Sequence, residues 1–184
     1  ARLSPNFRAN LRKARNRLAS APGVEFRSYA GGPDLEWAIG EFARIESSGW
    51  KTTGEGPGIL TRREGEERYH ARARVLAALG ACRVNLLFVQ GRAVAGQWGA
   101  VDRGTVFLFK IGYDEGCARL GPGNMMVEWL LRRSLEDPTI GRIDLTSATA
   151  WHQDWKAERY ALSNVHHFNR TLRGRLAQLA KLCA

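Results

Sequence analysis

Residues 105–147, TVFLFKIGYDEGCARLGPGNMMVEWLLRRSLEDPTIGRIDLTS, read as strand, loop, helix, strand. Val106 to Ile111 is β-branched and aromatic, too short for a helix, and apolar on both alternating faces, which predicts a central strand ending at Gly112. The loop closes on Gly121-Pro122-Gly123. Asn124 then stands where a helix N-cap belongs, directly before Met125, Met126, Val127, Trp129, Leu130, Leu131 and Leu135. A helix apolar around most of its circumference is expected to be buried, with Glu128 and Arg132 four apart in the favourable order on its polar side. Pro138 follows its end, and Ile143 to Thr146 reads as the next strand. Residues 105–112 and 142–147 are therefore predicted to be parallel neighbours joined by the 124–136 helix.

A glycine-rich turn at a helix N-terminus presents backbone N–H groups beside the positive end of the helix dipole, so it can hold an anion such as a pyrophosphate. The plainer reading is a Pro-Gly turn that starts a core helix. Strand, GxG-type loop, buried helix and strand in this order resemble the acyl-CoA-binding core of the GNAT acyltransferase superfamily, whose loop pattern is Q/R-x-x-G-x-G/A. Gly121 and Gly123 match its glycines, whereas Ala118 stands at the Gln/Arg position and Arg119 is displaced by one residue. The resemblance implies an α/β, GNAT-like mixed sheet in which antiparallel strands lead into a β-loop-α-β unit. It also implies that Arg119, Gly121, Gly123 and Asn124 hold the phosphates of acyl-CoA, in the first place acetyl-CoA, as co-substrate, with no metal.

The chain has 184 residues, 44% hydrophobic and 25% charged, which suits one soluble globular domain over 1–184. No apolar run approaches the roughly 18 residues of a membrane span. Three cysteines (Cys82, Cys117, Cys183) show no metal-type spacing and predict reduced thiols in a cytoplasmic compartment. A chain starting at Ala1 without a signal-peptide pattern is expected to be an excised part of a longer polypeptide. The net charge of +10 resides at the ends: six basic residues and no acids precede Glu25, and four with no acids follow from Arg170. These basic terminal helices, 1–20 and 170–184, can meet phosphate, a membrane surface or a neighbouring domain, or can simply be solvated.

In chain order, Phe7, Leu11, Ala14 and Leu18 form the apolar face of a basic helix over residues 4–20. Val24 to Tyr29 alternates as a strand, and Asp34 caps a second helix carrying Leu35, Ala38, Ile39, Phe42 and Ile45. After Trp50-Lys51 and a glycine-rich loop, a helix from Arg62 to Leu79 turns Tyr69, Ala73, Leu76 and Leu79 inward. Residues 82–89 and 93–102 form a hairpin leading into the strand at Thr105, with Gly96 and Gly99 marking a bulge or a close approach. Asn164 to Phe168 reads as a last strand. Trp98, Trp129, Trp151 and Trp155 are expected in the core.

Trp50-Lys51 after an acidic helix, Phe109-Lys110-Ile111-Gly112-Tyr113-Asp114-Glu115, Leu120-Gly121-Pro122-Gly123 and Trp155-Lys156 together resemble the CelD-like (cellulose biosynthesis associated) GNAT domains, relatives of the FemAB transferases. The likeness runs from about Arg12 to Lys156. It implies acyl or aminoacyl transfer from a carrier to an amine or hydroxyl of a small-molecule, polysaccharide or peptide-type acceptor.

Lys110, Tyr113 and Asp114 are the polar interruption at the end of an apolar strand, where ligands bind in open sheets. Asp114 can take a proton from an attacking amine and Tyr113 can return one to a leaving thiolate. Alternatively, Lys110 and Asp114 form a structural ion pair and Tyr113 is packing. Trp50, Lys51 and Lys156 are candidate substrate contacts, Lys156 for a carboxylate or phosphate. His152, Asp154, His166 and His167 fit no common metal spacing. Two alternatives stand beside acyl transfer from CoA: a FemAB-type transferase using aminoacyl-tRNA, and a non-catalytic binding domain using its basic ends.

Overall fold

The computed structural model describes residues 3–48, 63–147, 149–161 and 166–182. Among the described residues five strands lie in one sheet in chain order: β1 (Glu25–Tyr29), β2 (Cys82–Val89), β3 (Arg92–Asp102), β4 (Thr105–Tyr113) and β5 (Arg142–Asp144). The first four pair antiparallel, and β5 is parallel to β4. This is the α/β mixed sheet expected from the sequence. The hairpin turns β2–β3 and β3–β4 are built on Gln90-Gly91 and Arg103-Gly104, all at positive φ, as tight two-residue turns require.

Helices α2 (Pro33–Ser47) and α3 (Arg63–Ala78) cover one face; α1 (Pro5–Ala19) and α4 (Pro122–Glu136) cover the other. On the α2/α3 face, Leu35, Ala38, Ile39, Phe42 and Ile45 pack with Tyr69, Ala73, Val84, Leu86 and Trp98. The Tyr69 hydroxyl donates to the Ile39 carbonyl at 3.0 Å, joining the two helices. In α1, Ser4 accepts from the Phe7 N–H and Pro5 takes the first helical position. Its buried face is Phe7, Leu11, Ala14 and Leu18, packed with Leu87, Val94, Ala95, Met125 and Met126.

Several boundaries and burials differ from expectation. Helix α2 starts at Pro33 with Gly32 at φ 74 before it, so Asp34 lies in its first turn rather than capping it. Leu79 lies past the end of α3 and is 73% exposed. Helix α4 starts at Pro122, not after Asn124, because Gly121 in the left-handed region already begins the turn. Its buried stripe is Met125, Met126, Val127 and Leu130, while Leu131 and Leu135 face outward. Strand β5 spans only Arg142–Asp144. Residues 166–168 are irregular rather than a strand, and 164–165 lie outside the described residues. Trp98 is buried, whereas Trp129, Trp151 and Trp155 are half-buried.

The bulge foreseen near Gly99 determines which side chains share a face. Trp98 pairs with Lys110 and Gly99 with Leu108, so Phe109 is an extra residue on β4. A Cβ at Gly99 would lie 2.2 Å from the Phe107 carbonyl oxygen, so the strands close there only over glycine. Before the bulge, Val106 and Leu108 pack on Leu130 of α4. After it, Ile111 and Tyr113 take the α1/α4 side, and Phe109 and Lys110 both turn toward α2 and α3.

Candidate functional site

Strands β4 and β5 pair only over Thr105–Phe107 and Arg142–Asp144. The Thr146 hydroxyl adds a further tie, donating to the Leu108 carbonyl at 2.7 Å, one residue before the bulge. Thr146 sits at φ 53, a conformation that strains a β-branched residue by about 1–3 kcal/mol. Its own N–H donates to Asp144 Oδ1 at 2.8 Å, which holds it there. Beyond this point no described strand pairs with β4 on the β5 side, and the end of β4 and the chain after β5 form the two lips of a wedge in the sheet.

On the α1/α4 side the wedge meets the glycine turn. Residues Glu115–Leu120 form a 3-10 turn capped by Asp114, whose Oδ1 accepts from Gly116 N–H at 2.9 Å. Gly121 follows at φ 64, and the first bond into α4 is Met125 N–H to the Gly121 carbonyl. Pro122 has no N–H, so Gly123 and Asn124 are the first-turn donors with no helical acceptor. Among the described residues no side chain caps this helix, and its first turn holds no acid, which leaves the positive end of the dipole facing outward for an anion. The two glycines differ. Gly121 is demanded by its φ and by Ala14, whose Cβ would stand 2.9 Å from an added Cβ, whereas at Gly123 the nearest atoms are the Tyr113 ring at 3.5 and 3.7 Å, an ordinary contact. Packing alone does not require glycine at 123. Arg119 is exposed beside the turn.

On the α2/α3 side, Lys110 Nζ donates to Glu46 Oε1 at 2.7 Å, with Lys110 36% and Glu46 0% exposed. Gly112 makes room for that end of α2, since an added Cβ would lie 2.9 Å from Glu46 Cα. The Arg72 guanidinium lies over the Phe109 ring at 4.2 Å and the Trp98 ring at 5.6 Å. Across the wedge, Asp144 is buried at the end of β5 and accepts from the Tyr160 hydroxyl, and Arg142 covers the Tyr160 ring at 4.5 Å. That hydrogen bond pushes the Tyr160 hydroxyl above its ordinary pKa, so it stays protonated.

The structure therefore divides the predicted trio. Tyr113 faces the glycine turn and Lys110 the opposite side. The anticipated Lys110–Asp114 pair is not formed. Lys110 is bound to Glu46, and Asp114 Oδ2 accepts from Arg92 at 2.6 Å. Lys156 is exposed, directly after Trp155. Trp50 and Lys51 lie outside the described residues. Sequence reasoning passed over Glu46, Asp144 and Tyr160, because their proximity to the wedge depends on tertiary contacts. Nearby His152 is buried and linked through Nε2 to Thr149 Oγ1 at 3.0 Å; burial lowers its pKa and keeps the imidazole neutral near pH 7.

The family model of the acetyltransferase (GNAT) domain matches residues 5–157, most of the chain and every strand of the sheet. The chain belongs to the GNAT acetyltransferase domain family. Solved structures agree on the fold. A possible acetyltransferase from Clostridium difficile 630 superposes with a TM-score of 0.56 at 12% identity, over 78% of this chain and 96% of that one. An aminoglycoside acetyltransferase from an uncultured soil metagenomic sample, in complex with sisomicin, gives 0.51 at 14% identity over 81% and 96%. Ribosomal-protein-alanine N-acetyltransferase from Brucella melitensis biovar Abortus 2308 gives 0.51 at 16% identity over 80% and 100%. No curated protein matches the chain in sequence.

GNAT acetyltransferases use acetyl-CoA, and the glycine turn of this GNAT domain fits the phosphates of such a carrier on two counts. The α4 N-terminus lacks a side-chain cap, and Gly123 leaves open a space that a methyl group would fill. In addition, Trp155 Nε1, in the segment after β5, is buried with no acceptor among the described residues. Among the described residues no three His, Cys, Asp or Glu side chains gather as metal ligands would, and no helix is long and apolar enough to cross a membrane.

Proposed function

We propose that this GNAT domain transfers an acyl group, in the first place acetyl, from acyl-CoA to an amine or hydroxyl of a small-molecule or peptide acceptor. The observation that carries the reading is the wedge: β4, bulged at Phe109, leaves β5 after three paired residues, with the uncapped first turn of α4 at its mouth. The N–H groups of Gly123 and Asn124, with Gly121 shaping the turn and Arg119 beside it, hold the carrier phosphates. The carrier supplies the acyl group already activated as a thioester. Lys110, fixed by Glu46, faces the acceptor on the α2/α3 side, with Trp50, Lys51 and Lys156 as further contacts. Asp114 or Asp144 takes the proton that the acceptor loses on attack, and Tyr113 returns one to the departing sulfur. Direct attack leaves no acyl group on the protein.

The finer CelD-like or FemAB-related placement, with a polysaccharide acceptor or aminoacyl-tRNA as carrier, rests on the quoted residues alone. Two basic residues of α1, Arg15 and Arg17, are engaged within the fold, which favours CoA over tRNA as carrier. The test is calorimetric titration with acetyl-CoA, followed by thiol release over a panel of aminoglycosides, amino acids and peptides with N-terminal alanine. Binding in the range of about 1 μM to 1 mM supports the reading, which is typical of enzyme substrates. No binding in that range sinks it. Loss of turnover in Asp114→Asn but not Asp144→Asn, or the reverse, assigns the proton acceptor.

A further inference from the structure

We propose that α1 is a strap across the carrier wedge, holding the glycine turn on one lip and the segment after β5 on the other. This rests on the acyl-CoA reading for its consequence, though not for its mechanics. Past the Thr146–Leu108 bond, no described pairing of β4 with β5 holds the lips together. Helix α1 touches both. Near its C-terminal end, Ala14 sits against Gly121, and Arg17 Nη1 donates to the Arg119 carbonyl at 3.0 Å, across 102 positions of sequence. Arg15 adds an ion pair to Glu128 of α4 at 3.0 Å. Near its N-terminal end, Phe7 meets Trp155 edge to face, with ring centroids 5.1 Å apart and planes at 85°.

Phe7 and Ala14 are two helical turns apart, about 10 Å along a rigid rod. Helix α1 therefore spans the distance between Trp155 and Gly121, with one contact at each end. The family match, 5–157, takes in both α1 and Trp155. Arg17 is accordingly a positioning residue: it takes up the carbonyl of the residue two before Gly121 and fixes the turn without itself having to touch the carrier.

The test uses the whole chain with Arg17→Gln, Phe7→Leu, the conservative Arg17→Lys, and the exposed Arg12→Gln as control. Two quantities are read: dissociation constants for CoA and for pantetheine, and hydrogen exchange of the amides of residues 116–121. Arg17→Gln is expected to weaken CoA about fivefold, as loss of one exposed charge-assisted bond would, with pantetheine and the melting temperature unchanged. Phe7→Leu should weaken both ligands and speed exchange in the turn, a site it does not contact. Arg17→Lys should restore CoA binding, and Arg12→Gln should match wild type. Unchanged exchange and unchanged CoA affinity in both Phe7→Leu and Arg17→Gln would overturn the strap. If the wild type binds no CoA, the acyl-CoA reading falls, and turn exchange alone decides the strap: faster in Phe7→Leu supports it, unchanged refutes it.

Discussion

Gly121 and Gly123 look equivalent in the sequence, and their surroundings assign them different work. At Gly121 both the backbone angle and Ala14 exclude a side chain, so Gly121→Ala should destabilise the fold by about 1–2 kcal/mol in a denaturant melt. At Gly123 a methyl group has room, and glycine costs a helix up to about 1 kcal/mol relative to alanine. Gly123→Ala should therefore leave stability unchanged or slightly raised while lowering CoA affinity at least tenfold. Equal affinity in that variant would remove the turn from the carrier site. The buried pair makes a second residue-level case. Glu46, at the polar end of an amphipathic helix before two serines, reads as a surface residue, yet it is fully buried against Lys110. A double-mutant cycle with Glu46→Gln and Lys110→Met should give a coupling of about 1–3 kcal/mol, and below about 0.5 the pair would not be acting as one. Sequence alone could not have found this pair. Its partners stand 64 positions apart, and the bulge that aims Lys110 at α2 reverses the face that strict alternation assigns to it.

Elements with a strong period were legible from the sequence; their ends and irregularities were less so. The buried faces of α1 and α2 are the residues that 3.6-residue periodicity selects, and the antiparallel hairpin and parallel return of β5 follow from the turn residues and the β-loop-α-β order. The ends of α4 and β5 were displaced because Gly121 starts the helix early and strained Thr146 stops the strand. The bulge is the irregularity with most bearing on the site, and Gly99 tests it. A methyl group 2.2 Å from the Phe107 oxygen meets backbone, which can yield only by separating β3 from β4. Gly99→Ala is expected to cost at least about 3 kcal/mol, the upper part of the range for overpacking. A near-neutral melt would show that the strands are not closed there. The segment after β5 carries a pH signature. His152 is held neutral, with its folded pKa below the ordinary value of about 6.5. The unfolded chain therefore binds its proton first, and stability that is complete above about pH 6.5 is lost as pH falls through the folded pKa. Replacing His152 by Gln should flatten the melting temperature over that acid window, while a slope identical to wild type would place the titration elsewhere.

At the scale of the molecule, the +10 charge has to be reconciled with a fold in which α1 is not an appendage. Its four buried side chains complete the cluster over Leu87, Val94 and Met126, so truncating residues 1–20 would uncover core and could not isolate the role of charge. The far end differs: α5 (Leu172–Leu182) leaves Leu172, Leu176 and Leu179 more than half exposed and lies beyond the family match. A nucleic-acid carrier is therefore best tested by charge removal on α1 alone, at Arg8, Arg12 and Lys13, which are exposed and stand clear of the Arg15 and Arg17 contacts. If acyl-CoA is the carrier, only the few phosphates at the α4 turn are involved, so acetyl-CoA affinity should weaken modestly with salt and be the same in the Arg8→Gln, Arg12→Gln, Lys13→Gln triple variant. If tRNA is the carrier, log affinity should fall with log salt by about 0.9 per phosphate contacted on duplex and about 0.7 on single strands, and three lost contacts should reduce that slope by about 2–3. The measurement is a titration of both ligands at two salt concentrations with wild type and triple variant. We expect CoA to bind both proteins equally and bulk tRNA to bind weakly. Tight tRNA binding with a steep slope that drops in the variant, together with no binding of CoA, would transfer the carrier role from the turn of α4 to the charged face of α1.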